Sequence, residues 1–245
     1  DADFVDVPAK GLLAKAYAEE RRKLLGERVS ENPKPGNPRP LNLSTYLPNP
    51  LAVFEPPAMP RETTHLTVAD AAGNIVSYTF TIETVGGSGI VVPGRGFLLN
   101  NELTDFDAAP NLANSVAGNK RPRSSMSPTI IFKGGKPLHA LGSPGGATII
   151  TTVLQTTLNL LDFGMKMPEA IGAARYSQRN SASTSLEAGA DATIVQALTA
   201  RGHRFATPSE IGAATGISFN PDGSMTAAAE PQRRGGGVAG VVTPK

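Results

Sequence analysis

The chain has 245 residues, 40% hydrophobic and 18% charged, and its 23 basic and 21 acidic side chains leave a formal charge of +2. This suits a globular protein of one large or two small domains, and it offers no basic stripe or aromatic platform for nucleic acid. The absence of cysteine excludes disulfides and thiolate metal sites, and no apolar run is long enough to span a membrane. No signal-peptide pattern opens the chain, and its start without methionine reads as a processed or truncated end.

Residues Pro8 to Leu25 place Leu12, Leu13, Ala16, Tyr17 and Leu24 at helical spacing, which predicts one amphipathic helix ended by Gly26. The charged run Glu19-Glu20-Arg21-Arg22-Lys23 is its solvated face. From Asn32 to Pro60, recurrent prolines remove backbone donors and predict an extended, irregular arm. Beyond it, His65 to Ala69 and Ile75 to Ile82 alternate around the turn residues "DAAGN", predicting a hairpin. With the turn centred on Ala72 and Gly73, partner numbers sum to about 145, so Thr63 faces Thr81 or Ile82.

"GSGIVVPGRGFLLNNELTDFD" predicts short strands and glycine-rich loops, and "SPTIIFKGGKPLHALGSPGG" a hairpin turning at Gly134-Gly135. Ile149, Ile150, Val153, Leu154, Leu158 and Leu161 then follow helical spacing in a helix closed by Gly164. A further helix spans Asp191 to Arg201, and a last hairpin turns at Asn220-Pro221-Asp222-Gly223. This order predicts helices packed outside paired sheets.

Two threonines, Thr63 and Thr64, stand where the alternating strand begins. Threonine is a good strand residue and needs no other explanation there. It also has a chemical use: once the preceding peptide bond is cut, one threonine carries both a nucleophilic hydroxyl and an amine base.

Four motifs, "TTHLTVADAAGN", "GFLLNNELTDF", "KRPRSSMSPTI" and "GSPGGATIITTVLQ", occur in that order. Together they resemble the small subunit of the gamma-glutamyltranspeptidases, a family of N-terminal-nucleophile hydrolases. The resemblance is strong from Thr63 to Ala174 and weaker to the C-terminus. The opening "DADFVDVPAKGLLAKAYAEERR" is similar to the end of that family's large subunit. The resemblance implies an α/β (α+β) fold, a four-layer αββα sandwich, with residues 1–62 ending the large subunit and 63–245 forming the small, catalytic one. It implies a precursor that cuts itself at Glu62-Thr63 and then acts as a gamma-glutamyl hydrolase and acyltransferase on substrates such as glutathione. No cofactor is implied. The implied partner is the large subunit of the same precursor, in a heterodimer, and the implied location is periplasmic or secreted.

Residue by residue, the resemblance makes Thr63 the nucleophile and Thr81 the hydroxyl hydrogen-bonded to it. Gly145 and Gly146 match the oxyanion hole, for which backbone N–H groups at a helix start are suited because the helix itself leaves them unpaired. Glu102 and Asp105 match the groups that hold a substrate ammonium, and Ser124 and Ser125 those that hold its carboxylate; charge-assisted hydrogen bonds supply the attraction. Without the motifs, the same residues read as an ordinary turn and surface charge.

Three features depart from the family pattern. Thr81-Ile82-Glu83 stands where Thr-x-Asn is usual, so that Glu83 adds a third carboxylate to the ammonium pocket; Gly86 replaces an aromatic; and "AARYSQRN", Ala173 to Asn180, replaces Ala-Pro-Arg-Phe. The arginine that pairs with the substrate carboxylate lies in the family's large subunit. Two alternatives therefore stay open, a cephalosporin-acylase-like amidase and a non-catalytic binding homologue that keeps the fold. His65, His139 and His203 show no metal-ligand spacing, and no metal site is expected.

Overall fold

The computed structural model describes residues 1–30, 33–39, 61–206 and 210–242. Its opening segment forms two helices, α1 (Ala9–Leu12) and α2 (Lys15–Arg22), rather than the single one expected. Ala14 breaks the rod with an extended ψ of 129°. Neither helix buries a residue, so no packing rewards a continuous rod, and short unsupported helices are marginal in water. The Pro38 carbonyl also lies where a side chain on Gly11 would stand. Most of the expected proline-rich arm, at 32 and 40–60, lies outside the described residues; residues 33–39 carry no helix or strand.

Strands β1 (Arg61–Ala69) and β2 (Ile75–Thr84) form the expected antiparallel hairpin, with Thr63 opposite Thr81. Its turn is set by Asp70, whose carboxylate accepts hydrogen bonds from the Ala72 and Asn74 amides and from the Asn74 side chain. β1 begins before the alternating stretch, so the Glu62–Thr63 bond lies inside a strand. Glu62 pairs with Glu83 and Thr63 with Thr81, leaving Ile82 as the extra residue of a β-bulge. The strands expected between Gly87 and Asp107 reduce to single bridges at Val91–Leu98 and Asp107–Ser115 and a 3-10 turn at Glu102–Asp105. Glycines 86, 87, 89, 94 and 96 all take positive φ, which turns the chain too often for a ladder to persist.

Strands β3 (Thr129–Lys133) and β4 (Lys136–Gly142) turn at Gly134 and Gly135, with φ of 58° and 78°, as a two-residue hairpin loop requires. The chain continues through α3 (Ile149–Leu161), α4 (Met167–Gly172), the two-residue strands β5 (Tyr176–Ser177) and β6 (Ser185–Leu186), and α5 (Ala192–Ala200). Asp191 caps α5 by accepting from the Thr193 and Ile194 amides. α4 was not expected from the sequence, although Pro168 at its first turn and Glu169 accepting from the Lys166 amide are recognisable start signals. Strands β7 (Thr215–Phe219) and β8 (Met225–Ala229) complete an antiparallel sheet of order β3-β4-β7-β8.

One face of this sheet meets α3 and α4 in a core of Leu141, Ile149, Val153, Leu160, Met167, Ala170, Ile171, Ala214 and Ala228. The other face meets the β1–β2 hairpin, where the His65 ring sits on Gly142 and Ser77 donates to the Leu141 carbonyl. Helix, sheet and hairpin are three successive layers of the αββα architecture. α3 forms as expected, but of its six apolar residues at helical spacing only Ile149 and Val153 are buried, whereas Ile150, Leu154, Leu158 and Leu161 are 54%, 56%, 39% and 47% exposed. The buried face is completed instead by Thr152, Thr156, Asn159 and Leu160. Among the described residues no helix is long and apolar enough to cross a membrane.

Candidate active site

The inner face of the hairpin carries three consecutive cross-strand pairs of polar side chains: Thr63–Thr81, His65–Thr79 and Thr67–Ser77. At the first pair, the Thr63 hydroxyl donates to Thr81 Oγ1 at 3.1 Å, and Thr81 Oγ1 donates to the Glu62 carbonyl at 2.7 Å. The Glu83 amide donates to the same Thr81 oxygen at 2.9 Å. Thr81 therefore accepts two hydrogen bonds and gives one, the full capacity of a hydroxyl. Its single proton points at the carbonyl of the peptide bond preceding Thr63.

The bulge at Ile82 makes this possible. It lets Glu83 adopt φ 75°, a conformation a non-glycine residue rarely takes, and turn its amide back to Thr81. Asn101 holds the distortion: its side-chain oxygen accepts from the Thr84 amide and its own amide donates to the Ile82 carbonyl. This anchors the start of the 3-10 turn that carries Glu102 and Asp105. Asn114 ties that turn to the serine loop, donating to the Asp105 carbonyl and accepting from the Arg123 amide, both at 2.8 Å. Asn101 and Asn114 had not been picked out from the sequence. Asn101 sits within the "NNELTDF" motif, whereas nothing local marks Asn114.

Gly145, with φ 142°, and Gly146, with φ 56°, open the 3-10 turn that leads into α3. A Cβ on Gly145 would lie 2.8 Å from Thr148 Oγ1 and 3.1 Å from the Gly212 Cα, so glycine is required by space as well as by conformation. One cleft is lined by Thr63, Thr81, Glu83, Glu102, Asp105, Ser124, Ser125 and Gly146, with Met126 and Ile149 forming its apolar side. Gly145 adjoins the cleft through Gly146. Residues from positions 63 to 149 thus converge on one threonine hydroxyl, with three carboxylates, two serines and a glycine turn around it. Such an arrangement can hold a zwitterionic head group, present a nucleophile to a carbonyl and stabilise the oxyanion that forms.

His65 is buried beneath the site. Its Nδ1 lies 2.8 Å from Thr79 Oγ1 and its Nε2 3.2 Å from Thr67 Oγ1. Burial pushes its pKa down to about 4, so the ring is neutral at ordinary pH. His139 lies in β4 with Nδ1 2.9 Å from Ser218 Oγ, and His203 follows Gly202 after α5. Among the described residues no group of three or more His, Cys, Asp or Glu could hold a metal ion.

The Gamma-glutamyltranspeptidase family model matches residues 1–240. The chain is 44% identical to a glutathione hydrolase proenzyme of Bacillus subtilis over 242 residues, covering 97% of this chain but 41% of that protein. It thus spans about two fifths of the length of that curated relative. A solved gamma-glutamyltranspeptidase mutant of Helicobacter pylori superposes with a TM-score of 0.65 at 38% identity, covering 69% of this chain and 100% of that one. A cephalosporin acylase from Bacillus halodurans superposes with a TM-score of 0.82 at 28% identity, covering 100% of this chain and 41% of that one.

Proposed function

The chain belongs to the gamma-glutamyltranspeptidase family, and from that premise we propose that it is part of a self-cleaving gamma-glutamyl hydrolase and acyltransferase. In this reading residues 1–62 end the large subunit and 63–245 are the small one. The observation that carries the proposal is the hydroxyl chain from Thr63 through Thr81 to the Glu62 carbonyl.

In self-cleavage, Thr63 Oγ1 attacks the Glu62 carbonyl carbon, whose oxygen Thr81 polarises. The hydroxyl proton passes to the departing Thr63 nitrogen, the peptide bond breaks and an ester forms. Water hydrolyses that ester, freeing the Glu62 carboxylate and the Thr63 amine. In turnover, the amine takes the Thr63 hydroxyl proton as the oxygen attacks a gamma-glutamyl amide, and the Gly145 and Gly146 amides receive the oxyanion. The amide nitrogen leaves with the proton, and water or a second amine resolves the acyl-enzyme. Glu83, Glu102 and Asp105 hold the substrate ammonium, and Ser124 and Ser125 its carboxylate.

The partner in this proposal is the remainder of the precursor. The support is the apolar surface turned away from the site: the outer hairpin residues Leu66, Val68, Val76, Tyr78 and Phe80 and the α3 ridge are all exposed. A surface of that kind marks an interface. A periplasmic or secreted location completes the proposal and is checked by cell fractionation. A cephalosporin-acylase-like amidase is the second reading, favoured by Glu83 and by the acylase superposition; turnover of a glutaryl amide without turnover of a gamma-glutamyl amide would select it.

The deciding experiment is intact mass with N-terminal sequencing of the full-length precursor after incubation at neutral pH. Two fragments, one beginning Thr-Thr-His-Leu, are expected. A single uncut chain that hydrolyses no amide would sink the proposal.

A further inference from the structure

Behind the glycine turn lies a buried charged cluster that the chemistry above does not use. Arg175 and Glu230 are each 1% exposed, and Arg233 and Glu187 are 11% and 6% exposed. Arg175 bonds Glu230 at 3.0 Å, and Arg233 spans both acids, meeting Glu187 at 2.6 Å and Glu230 at 2.8 Å. Two cations face two anions, and the four residues come from four different places: just before β5, just after β6, just after β8 and the following 3-10 turn at Arg233–Gly235.

The cluster grips one short segment from both sides. Glu187 accepts from the Ile211 amide at 2.6 Å, and Arg175 donates to the Ile211 carbonyl at 2.6 Å. With both backbone groups of Ile211 held, the next two residues are delivered against the glycine turn. Gly212, at φ 66°, packs so closely that its Cα would stand 3.1 Å from a Cβ on Gly145. The Ala213 amide donates to Ser143 Oγ at 2.9 Å, and Ser143, fully buried, donates in turn to the Pro144 carbonyl at 2.6 Å. Pro144 precedes Gly145. A continuous path of short hydrogen bonds and backbone contact therefore leads from the charged cluster to the oxyanion donors.

We propose that the Arg175–Glu187–Glu230–Arg233 cluster, acting through Ile211–Ala213 and Ser143, positions the Gly145–Gly146 amides for the oxyanion. The four charged residues and Ser143 are positioning residues; none lines the cleft. The physical reason is the directionality of oxyanion stabilisation. The donors must be aimed at where charge develops, not at the ground-state carbonyl, and a glycine pair with positive φ has no side chains to hold it. Charge pairs buried where several strands begin or end give the turn a backing with one geometry. Misaimed donors lower the rate of bond making while leaving substrate affinity, set by the carboxylates and serines, where it was.

The inference rests on the proposed reaction at Thr63, and its test uses the full-length precursor. Ser143→Ala, which removes a single buried hydroxyl, and Glu187→Gln, which keeps the shape and removes the charge, are compared with the parent. The active-site concentration in each is counted with an electrophile that esterifies the nucleophile. Expected is a kcat per titrated site lower by about tenfold to a hundredfold, the range a sub-ångström to ångström misplacement produces, with KM within about twofold. A kcat per titrated site equal to the parent's in both variants, or a KM that rises in step with the fall in kcat, overturns the inference. A parent with neither self-cleavage nor turnover overturns the reading at Thr63, and the inference with it.

Discussion

The two faces of the β1–β2 hairpin are opposite in character to those of an ordinary surface hairpin. The inner face is polar: His65 and Thr79 are 6% and 7% exposed, and Thr63 and Thr81 stand in the same row. The outer face is apolar, with Leu66, Tyr78 and Phe80 at 43%, 49% and 51% exposed. α3 repeats the inversion, burying Thr152, Thr156 and Asn159 while exposing Leu154 and Leu158. A polar inner face is stable because its hydroxyls and imidazole satisfy one another across the strands. An apolar outer face is stable only when covered. In the proposed reading, chemistry on one side and assembly on the other divide a single two-stranded element between them.

The largest effect tests the inner face at its end. Thr63→Ala should leave an uncut precursor with no detectable amide turnover, read by intact mass and by a gamma-glutamyl amide assay; a cut Thr63→Ala protein would falsify the assignment. Thr81→Val keeps shape but removes the hydroxyl shared by Thr63 and the Glu62 carbonyl. A loss of about a hundredfold or more in self-cleavage rate is expected, the scale of positioned proton-transfer groups. A rate unchanged by that substitution would mean the hydroxyl chain is idle.

The two sides of α3 give the next contrast, measured by urea unfolding of residues 1–245. Val153→Asp buries a carboxylate in the core and should cost roughly 3 kcal/mol or more, whereas Leu154→Asp should stay within about 0.5 kcal/mol. In the full-length precursor Leu154→Asp should become as costly as Val153→Asp, because the ridge is then covered. Equal effects in both settings would remove the assembly role of the outer face.

A last test concerns pH and the buried imidazole of the inner face. His65 titrates near 6.5 when unfolded and about 4 when folded, so the unfolded chain binds more protons between those values. Stability is therefore full above pH 6.5 and is lost as pH falls towards 4, by up to about 3 kcal/mol from this group. His139, also lowered by burial, acts in the same direction. Urea midpoints measured from pH 7 to pH 4 should fall less steeply for His65→Gln than for the parent; parallel slopes would assign the loss to other groups.

Much of the site was legible along the chain because its parts are local. A turn of known residues between alternating stretches placed Thr63 opposite Thr81 or Ile82, and a glycine pair ahead of an apolar helix suggested amides free to bind an oxyanion. The nine candidate residues needed motif order to be read as one site, because Glu102 or Ser124 in a loop looks like any surface residue. The Ile82 bulge was not legible, since its cause is Asn101, which bonds β2 from across an intervening loop. The charged cluster was equally hidden. "AARYSQRN" looked like a weakened motif, but its Arg175 is among the most buried side chains in the protein.

Periodicity by itself determined the elements: the hairpins, α3, α5 and their order follow from alternation, helical spacing and turn residues, all short-range properties. Tertiary structure decided which face of each element is inside. Apolar spacing marks a face that must be buried, without saying by what. On the hairpin the inward side was claimed by hydroxyls and an imidazole, whose hydrogen bonds are satisfied only across the strands, and on α3 partly by Thr152, Thr156 and Asn159, the last donating to the Ala170 carbonyl; in both, apolar side chains were left on the outer side.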